Sequence, residues 1–145
     1  TGLCNARAGW VPESFWGAGC VRAWCQCSLA VTSPRVLGPC AIECGATDFR
    51  DEVLGRLCGV FRGTIVQFRP GEGFFVADCF WLPPDGEPIG PMALEVKLHA
   101  EPDGATRVRV TQTGYEESAR WRRYYEVIGV GWTRALALLK SLIEH

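Results

Sequence analysis

Long hydrophobic runs are missing from this chain of 145 residues. No apolar stretch approaches the roughly 18 residues that a membrane-spanning helix requires, and the first residues show no signal-peptide pattern. The net charge is only −1, which argues against a nucleic-acid or membrane-surface footprint. We therefore expect one cytoplasmic domain, 1–145, whose partners include neither nucleic acid nor membrane.

Histidine is nearly absent, since His99 and His145 are the two in the chain. A Cys-His nucleophile pair needs a histidine beside the thiol, and the alternation of its strand predicts that His99 faces solvent. Asp78 interrupts an aromatic strand, so it either points to solvent, the preferred interpretation, or is a polar group in a pocket. An enzyme of the cyclase or hydrolase type would depend on Asp78. We rank an enzyme below a binding protein and assign no catalytic residue and no cofactor.

Cysteine, in contrast, is abundant, with eight residues of which seven fall in the first 58. Without a secretory signal, reduced thiols in a cytosol are the default. Four thiolates could bind zinc, offered by Cys25-x-Cys27 and Cys40-x3-Cys44, with Cys20 nearby. The spacing is not the usual C-x2-C pair and no histidine accompanies it, so free or buried thiols are the preferred interpretation. No metal site is assigned.

The first 46 residues show no clear period and no sustained strand alternation. Residues 11–16 fit a short helix with Pro12 in its first turn, and 21–30 fit a second one. From residue 49 the pattern sharpens into four strands joined by short turns, which predicts an antiparallel meander with one apolar face. The predicted strands are 63–69, 74–82, 92–100 and 105–113. Their predicted apolar faces are Phe75, Ala77, Cys79 and Trp81; Met92, Leu94, Val96 and Leu98; and Val108 and Val110.

The last part of the chain, 117–143, reads as one long amphipathic helix with Ser118 as its N-cap. Trp132 is predicted to lie at the centre of the apolar stripe, buried against strand 105–113. Gly129 and Gly131 predict either a close approach of a strand to the helix or room for a ligand. Strands followed by one long helix indicate the α+β class. The stripe recurs at steps of three and four and comprises Trp121, Tyr125, Ile128, Trp132, Ala135, Leu139 and Leu142.

Three segments together resemble the START-like helix-grip superfamily: FRGTIVQFRPGEGFFVADCFWLPPDGEP, ATRVRVTQTGYE and RWRRYYEVIGVGWTRALALLKSLIE. The branch that looks most similar is the domain of the activators of the heat-shock-protein-90 ATPase and their bacterial homologues. The branch pattern T-x-[ST]-G-[FY] is matched by Thr111-Gln112-Thr113-Gly114-Tyr115, and its Gly-Trp pair by Gly131-Trp132. The resemblance covers 47–145, whereas 1–46 match poorly.

The resemblance implies a curved antiparallel sheet that grips the C-terminal helix and a hydrophobic ligand held between them. Gln112 and Tyr124 are candidate polar groups in an otherwise aromatic site. An alternative function is a protein-interaction module that regulates a chaperone ATPase. The ligand and the oligomeric state stay open. The candidate ligand-binding residues are Trp81, Val110, Gln112, Tyr124, Ile128 and Trp132.

Overall fold

The computed structural model describes residues 27–44 and 50–144. Within these ranges the chain forms a six-stranded antiparallel sheet, a two-stranded hairpin and a C-terminal helix. The sheet order is β1-β2-β5-β6-β7-β8, and β3 and β4 form the hairpin. The elements are β1 (Cys27–Thr32), β2 (Pro39–Cys44), β3 (Arg50–Asp51), β4 (Gly55–Arg56), β5 (Gly59–Arg69), β6 (Gly73–Leu82), β7 (Ile89–Ala100), β8 (Thr106–Thr113) and α1 (Ala119–Ile143).

The predicted α+β class and the predicted order of strands and helix are confirmed. The four predicted strands correspond to β5, β6, β7 and β8, and the helix begins two residues later than predicted. Ser118 is its N-cap, as predicted, because its Oγ accepts a hydrogen bond from the backbone N–H of Trp121 at 3.2 Å. That the sheet curves around the helix stays a prediction.

The N-terminal part of the sheet corrects the sequence analysis. Strand β1 occupies positions that were predicted as the end of a short helix over 21–30, and β2 was not predicted at all. Strand β2 pairs along β5, with Cys40 opposite Gly63 and Ile42 opposite Phe61. Partner strands outweigh weak local patterns, which explains both misses. The predicted helix 11–16 lies outside the described residues.

A bulge interrupts β6 where it pairs with β7. Val76 lies opposite Leu94 and Cys79 opposite Met92, so two residues of β6 face one of β7. Asp78 is the residue with φ of 51°, in the left-handed region that aspartate tolerates better than most side chains. Its side chain is exposed, so the preferred interpretation of Asp78 as a solvent-facing residue is confirmed.

The bulge changes which side chains of β6 reach the helix side of the sheet. Before it, Phe74 and Val76 face the core, and after it Cys79 and Trp81 do. Phe75 instead pairs with Glu95 on the opposite face. The predicted apolar face is therefore right for Cys79 and Trp81 but wrong for Phe75, because a bulge reverses the alternation of every residue on one side of it.

The helix packs on the sheet with its apolar stripe rotated from the predicted position. Trp121, Tyr124 and Val127 are buried, whereas Trp132 is half-buried at the margin of the stripe. The prediction that Trp132 lies at the buried centre is therefore wrong. Its predicted neighbour is confirmed, since its indole N–H donates to Gln112 on β8 at 3.1 Å.

Two glycines mark opposite extremes of packing. A Cβ on Gly63 would lie 2.7 Å from Val76 Cγ1 and 2.8 Å from Cys79 Sγ, so a side chain has no room beside the bulge. Among the described residues, a Cβ on Gly129 would meet nothing within 4 Å. The predicted close approach of a strand at Gly129 is therefore wrong.

We expect Gly63→Ala to destabilise the fold by about 1–3 kcal/mol, because overpacking displaces the side chains beside the bulge. Gly129→Ala is the matched control in open space, and it should stabilise the protein by about 1 kcal/mol through helix propensity alone. Urea unfolding monitored by tryptophan fluorescence measures both. A Gly63→Ala protein as stable as wild type would contradict the packing at the bulge.

Candidate functional site

The six predicted ligand-binding residues come from three elements that meet on the helix side of the sheet. Four of them are in mutual contact, as a chain that runs from β6 through the helix to β8. The other two, Val110 and Ile128, are half-buried against the same core. The residues are Trp81 on β6, Val110 and Gln112 on β8, and Tyr124, Ile128 and Trp132 on α1.

Aromatic rings form the apolar part of this contact. Trp81 stacks on Tyr124 with ring centroids 5.7 Å apart and an interplanar angle of 27°. The indole N–H of Trp81 donates to the Cys58 carbonyl at 3.2 Å, which satisfies its one polar group. On the other side, Tyr125 meets Tyr124 edge to face at 5.6 Å. Both arrangements are favourable for aromatic pairs. The first of them joins the helix to β6, whereas the second lies within the helix itself.

A polar chain lies within these apolar surroundings, and we call its members the Gln112 cluster: Met92, Gln112, Tyr124 and Trp132. The Gln112 amide nitrogen donates to the Tyr124 hydroxyl at 3.0 Å and to Met92 Sδ at 3.2 Å. The Gln112 amide oxygen accepts from the Trp132 indole at 3.1 Å. The two candidate polar groups, Gln112 and Tyr124, are thus hydrogen-bonded to each other. Sequence reasoning missed Met92 as a partner, because a thioether in a core strand carries no visible polar signal.

The titratable groups near the Gln112 cluster are held neutral. Burial raises the pKa of the Tyr124 hydroxyl above its ordinary value. Burial and, to a lesser extent, the neighbouring Cys40 thiol raise the pKa of Cys79 to about 12. A neutral thiol is a poor nucleophile, and the residues of the described core are all uncharged. This site therefore offers hydrogen bonds and apolar surface, not acid–base chemistry at neutral pH.

The other candidate chemical groups do not join the site. Asp78 and His99 are exposed, the latter as predicted. Cys40, Cys58 and Cys79 are buried free thiols, whereas the side chains of Cys20, Cys25, Cys27 and Cys44 lie outside the described residues. In the described part of the chain, no group of three or more His, Cys, Asp or Glu side chains is arranged to hold a metal ion.

Sequence reasoning also missed a charge pair that fixes the β3–β4 hairpin to the helix. The Asp51 side chain is 6% exposed, and its carboxylate accepts from Arg123 at 2.7 and 2.8 Å. It also accepts from the backbone N–H groups of Val53 and Leu54, each at 3.0 Å. These hydrogen bonds, that from Arg123 foremost, hold the pKa of Asp51 below its ordinary value. A partner 72 residues away leaves no local pattern from which it could have been found.

We expect Asp51→Asn to lower stability at neutral pH by about 1.5–3 kcal/mol, the range for hydrogen bonds to charged groups. Because the folded-state pKa of Asp51 is lowered, its contribution is present above the unfolded pKa of about 4 and is lost as pH falls through the lower folded value. The stability difference between wild type and variant should therefore shrink below about pH 4. Urea unfolding across a pH series measures it.

Glu52→Gln is the matched control for this experiment. It removes the same charge from the adjacent exposed position, and it should leave stability within about 0.5 kcal/mol of wild type. A wild-type advantage over Asp51→Asn that did not change with pH would contradict the assignment of the titrating group.

Comparisons with protein-family models, with curated proteins and with solved structures found no match. The START-like resemblance therefore stays a prediction that rests on the sequence motifs. Within 27–44 and 50–144, no helix has the length and apolar character needed to cross a membrane. Because a fold does not fix a function, the function is inferred from the geometry of the site.

Proposed function

We propose that the protein binds a small hydrophobic molecule between its sheet and its C-terminal helix, without catalysing a reaction. The first support is the gradient of burial across the sheet. On β6 and β7, Trp81, Met92 and Leu94 are buried. On the β8 side, Val110 and Ile128 pack against the same core but are only half-buried. Apolar surface thus continues from the core to a margin that solvent reaches, which is where an apolar ligand would enter.

The observation that carries the proposal is the Gln112 cluster itself. Small-molecule sites are mostly apolar and aromatic, with a few polar groups that orient the ligand. Here Gln112 and Tyr124 place an amide and a hydroxyl among aromatic rings, 3.0 Å apart. A helix–sheet contact that served packing alone would be simpler with apolar side chains at both positions, because buried polar groups cost free energy unless they are fully paired.

The proposal of binding without catalysis is supported by the protonation states of the groups near the site. Tyr124 and Cys79 are kept neutral by burial, and Asp78 is exposed on β6. General acid–base catalysis works best with a pKa near the operating pH. The Gln112 cluster supplies no such group, so its polar atoms suit recognition.

We expect Ile128→Lys to weaken binding of the neutral fluorescent probe N-phenyl-1-naphthylamine by at least about tenfold, because the ammonium group stays hydrated and draws water into the apolar margin. Val130→Lys is the matched control, two residues along the same helix at a position that is 45% exposed. It should bind the probe as wild type does. Fluorescence titration measures both variants, and native mass spectrometry with lipids and aromatic metabolites then identifies the natural class.

Equal loss of binding in both variants would show that the affinity for the probe depends on the added charge and not on its position at the helix–sheet margin. If wild type binds neither the probe nor any lipid or aromatic metabolite, the proposal fails. That result would favour the alternative of a protein-interaction module, which predicts an exposed apolar or charged patch outside the core.

A further inference from the structure

The direction of the hydrogen bonds in the Gln112 cluster is fixed by its tryptophan. An indole N–H can donate and cannot accept. Its partner at 3.1 Å must therefore be the Gln112 amide oxygen, since a turned amide would bring two N–H groups face to face. The amide nitrogen is then left to face Tyr124 and Met92, which matches the ability of a thioether sulfur to accept.

This direction makes the Tyr124 hydroxyl an acceptor from Gln112. Both hydrogens of the amide nitrogen are used, one toward Tyr124 and one toward Met92. The proton of the Tyr124 hydroxyl consequently has no acceptor among the described residues. Tyr124 is 5% exposed, and a buried donor without a partner costs free energy. Tyr125 differs, because its hydroxyl donates to the Gly114 carbonyl.

We infer that the ligand carries a neutral oxygen acceptor, most simply a carbonyl, on an apolar body, and that the Tyr124 hydroxyl donates to it. This inference rests on the proposed function. The hydroxyl keeps its proton because burial raises its pKa, so it is a donor at every physiological pH. A neutral acceptor fits better than a carboxylate, because the described core residues supply no cation and an unpaired buried charge is costly.

The test compares two ligands that differ in one group, propiophenone and propylbenzene, in which a carbonyl replaces a methylene. The measured quantity is the ratio of their dissociation constants, propylbenzene over propiophenone, from calorimetric titration. Tyr124→Phe should lower this ratio by roughly three- to tenfold, as expected for one net hydrogen bond. The difference in hydration between the two ligands cancels, because it is the same for every variant.

Two further variants distinguish an effect of the Tyr124 hydroxyl from an effect of the substitution on the fold. Trp132→Phe removes the indole N–H that fixes the amide, so Gln112 can turn and accept the Tyr124 proton itself, and the ratio should fall although the hydroxyl is present. Tyr125→Phe should leave the ratio unchanged, because its hydroxyl already has a carbonyl acceptor. In addition, the carbonyl stretch of bound propiophenone should lie at lower frequency in wild type than in Tyr124→Phe.

Each outcome is decisive. If both ligands bind wild type and the ratio is unchanged in either Tyr124→Phe or Trp132→Phe, the inference is wrong while hydrophobic binding stands. If neither ligand binds wild type but N-phenyl-1-naphthylamine does, the inference is also wrong, since the carbonyl group of propiophenone then contributes nothing to binding. If no apolar compound binds at all, the proposed function fails first.

Discussion

The stacking of Trp81 on Tyr124 joins the two layers of the molecule, and most other features of the structure depend on it. One helix cannot bury its own apolar face, so the fold exists only where a sheet presents large side chains in the matching place. Trp81 meets this need because its ring reaches Tyr124 while its N–H is satisfied by the Cys58 carbonyl. The position of the helix over the sheet, and with it the Gln112 cluster, follows from this contact.

Trp81 points toward the helix because of a local irregularity. The bulge that contains Asp78 adds one residue to β6, and without it Trp81 and Phe74 could not both lie on the helix side. The bulge crowds the neighbouring position on β5, where Gly63 fits because it has no side chain. A Cβ there would lie 2.8 Å from Cys79 Sγ. Bulges that re-aim a side chain are features of the fold, not defects. Here the bulge sets the face on which the candidate site forms.

The sequence predicted the elements whose apolar side chains recur with a regular period along a short stretch of the chain. Alternation predicted β7 and β8, and the capped apolar stripe predicted α1. The stripe contained Tyr125, whereas Tyr124, named only as a candidate polar group, is the tyrosine that is buried. The features that were not predicted depend on partners that are distant in the sequence. Strand β2 forms along β5, the rotation of the helix follows where Trp81 points, and Asp51 pairs with an arginine 72 residues away. No short window contains these interactions.

The Gln112 cluster adds directional hydrogen bonds to the contact between helix and sheet, which apolar packing alone would not supply. Aromatic stacking joins the helix to β6, and the hydrogen bond from Trp132 to Gln112 joins it to the edge strand β8. The same bond determines which way the amide points, and therefore whether Tyr124 gives or receives a proton. A polar chain within a core costs free energy unless every member is satisfied. The chain of hydrogen bonds ends at the Tyr124 hydroxyl, whose proton has no acceptor among the described residues. A structural role accounts for the hydrogen bonds that join Trp132, Gln112, Tyr124 and Met92, but not for the unmatched proton of the Tyr124 hydroxyl. The proposed ligand, with its oxygen acceptor, would supply the partner that this proton lacks.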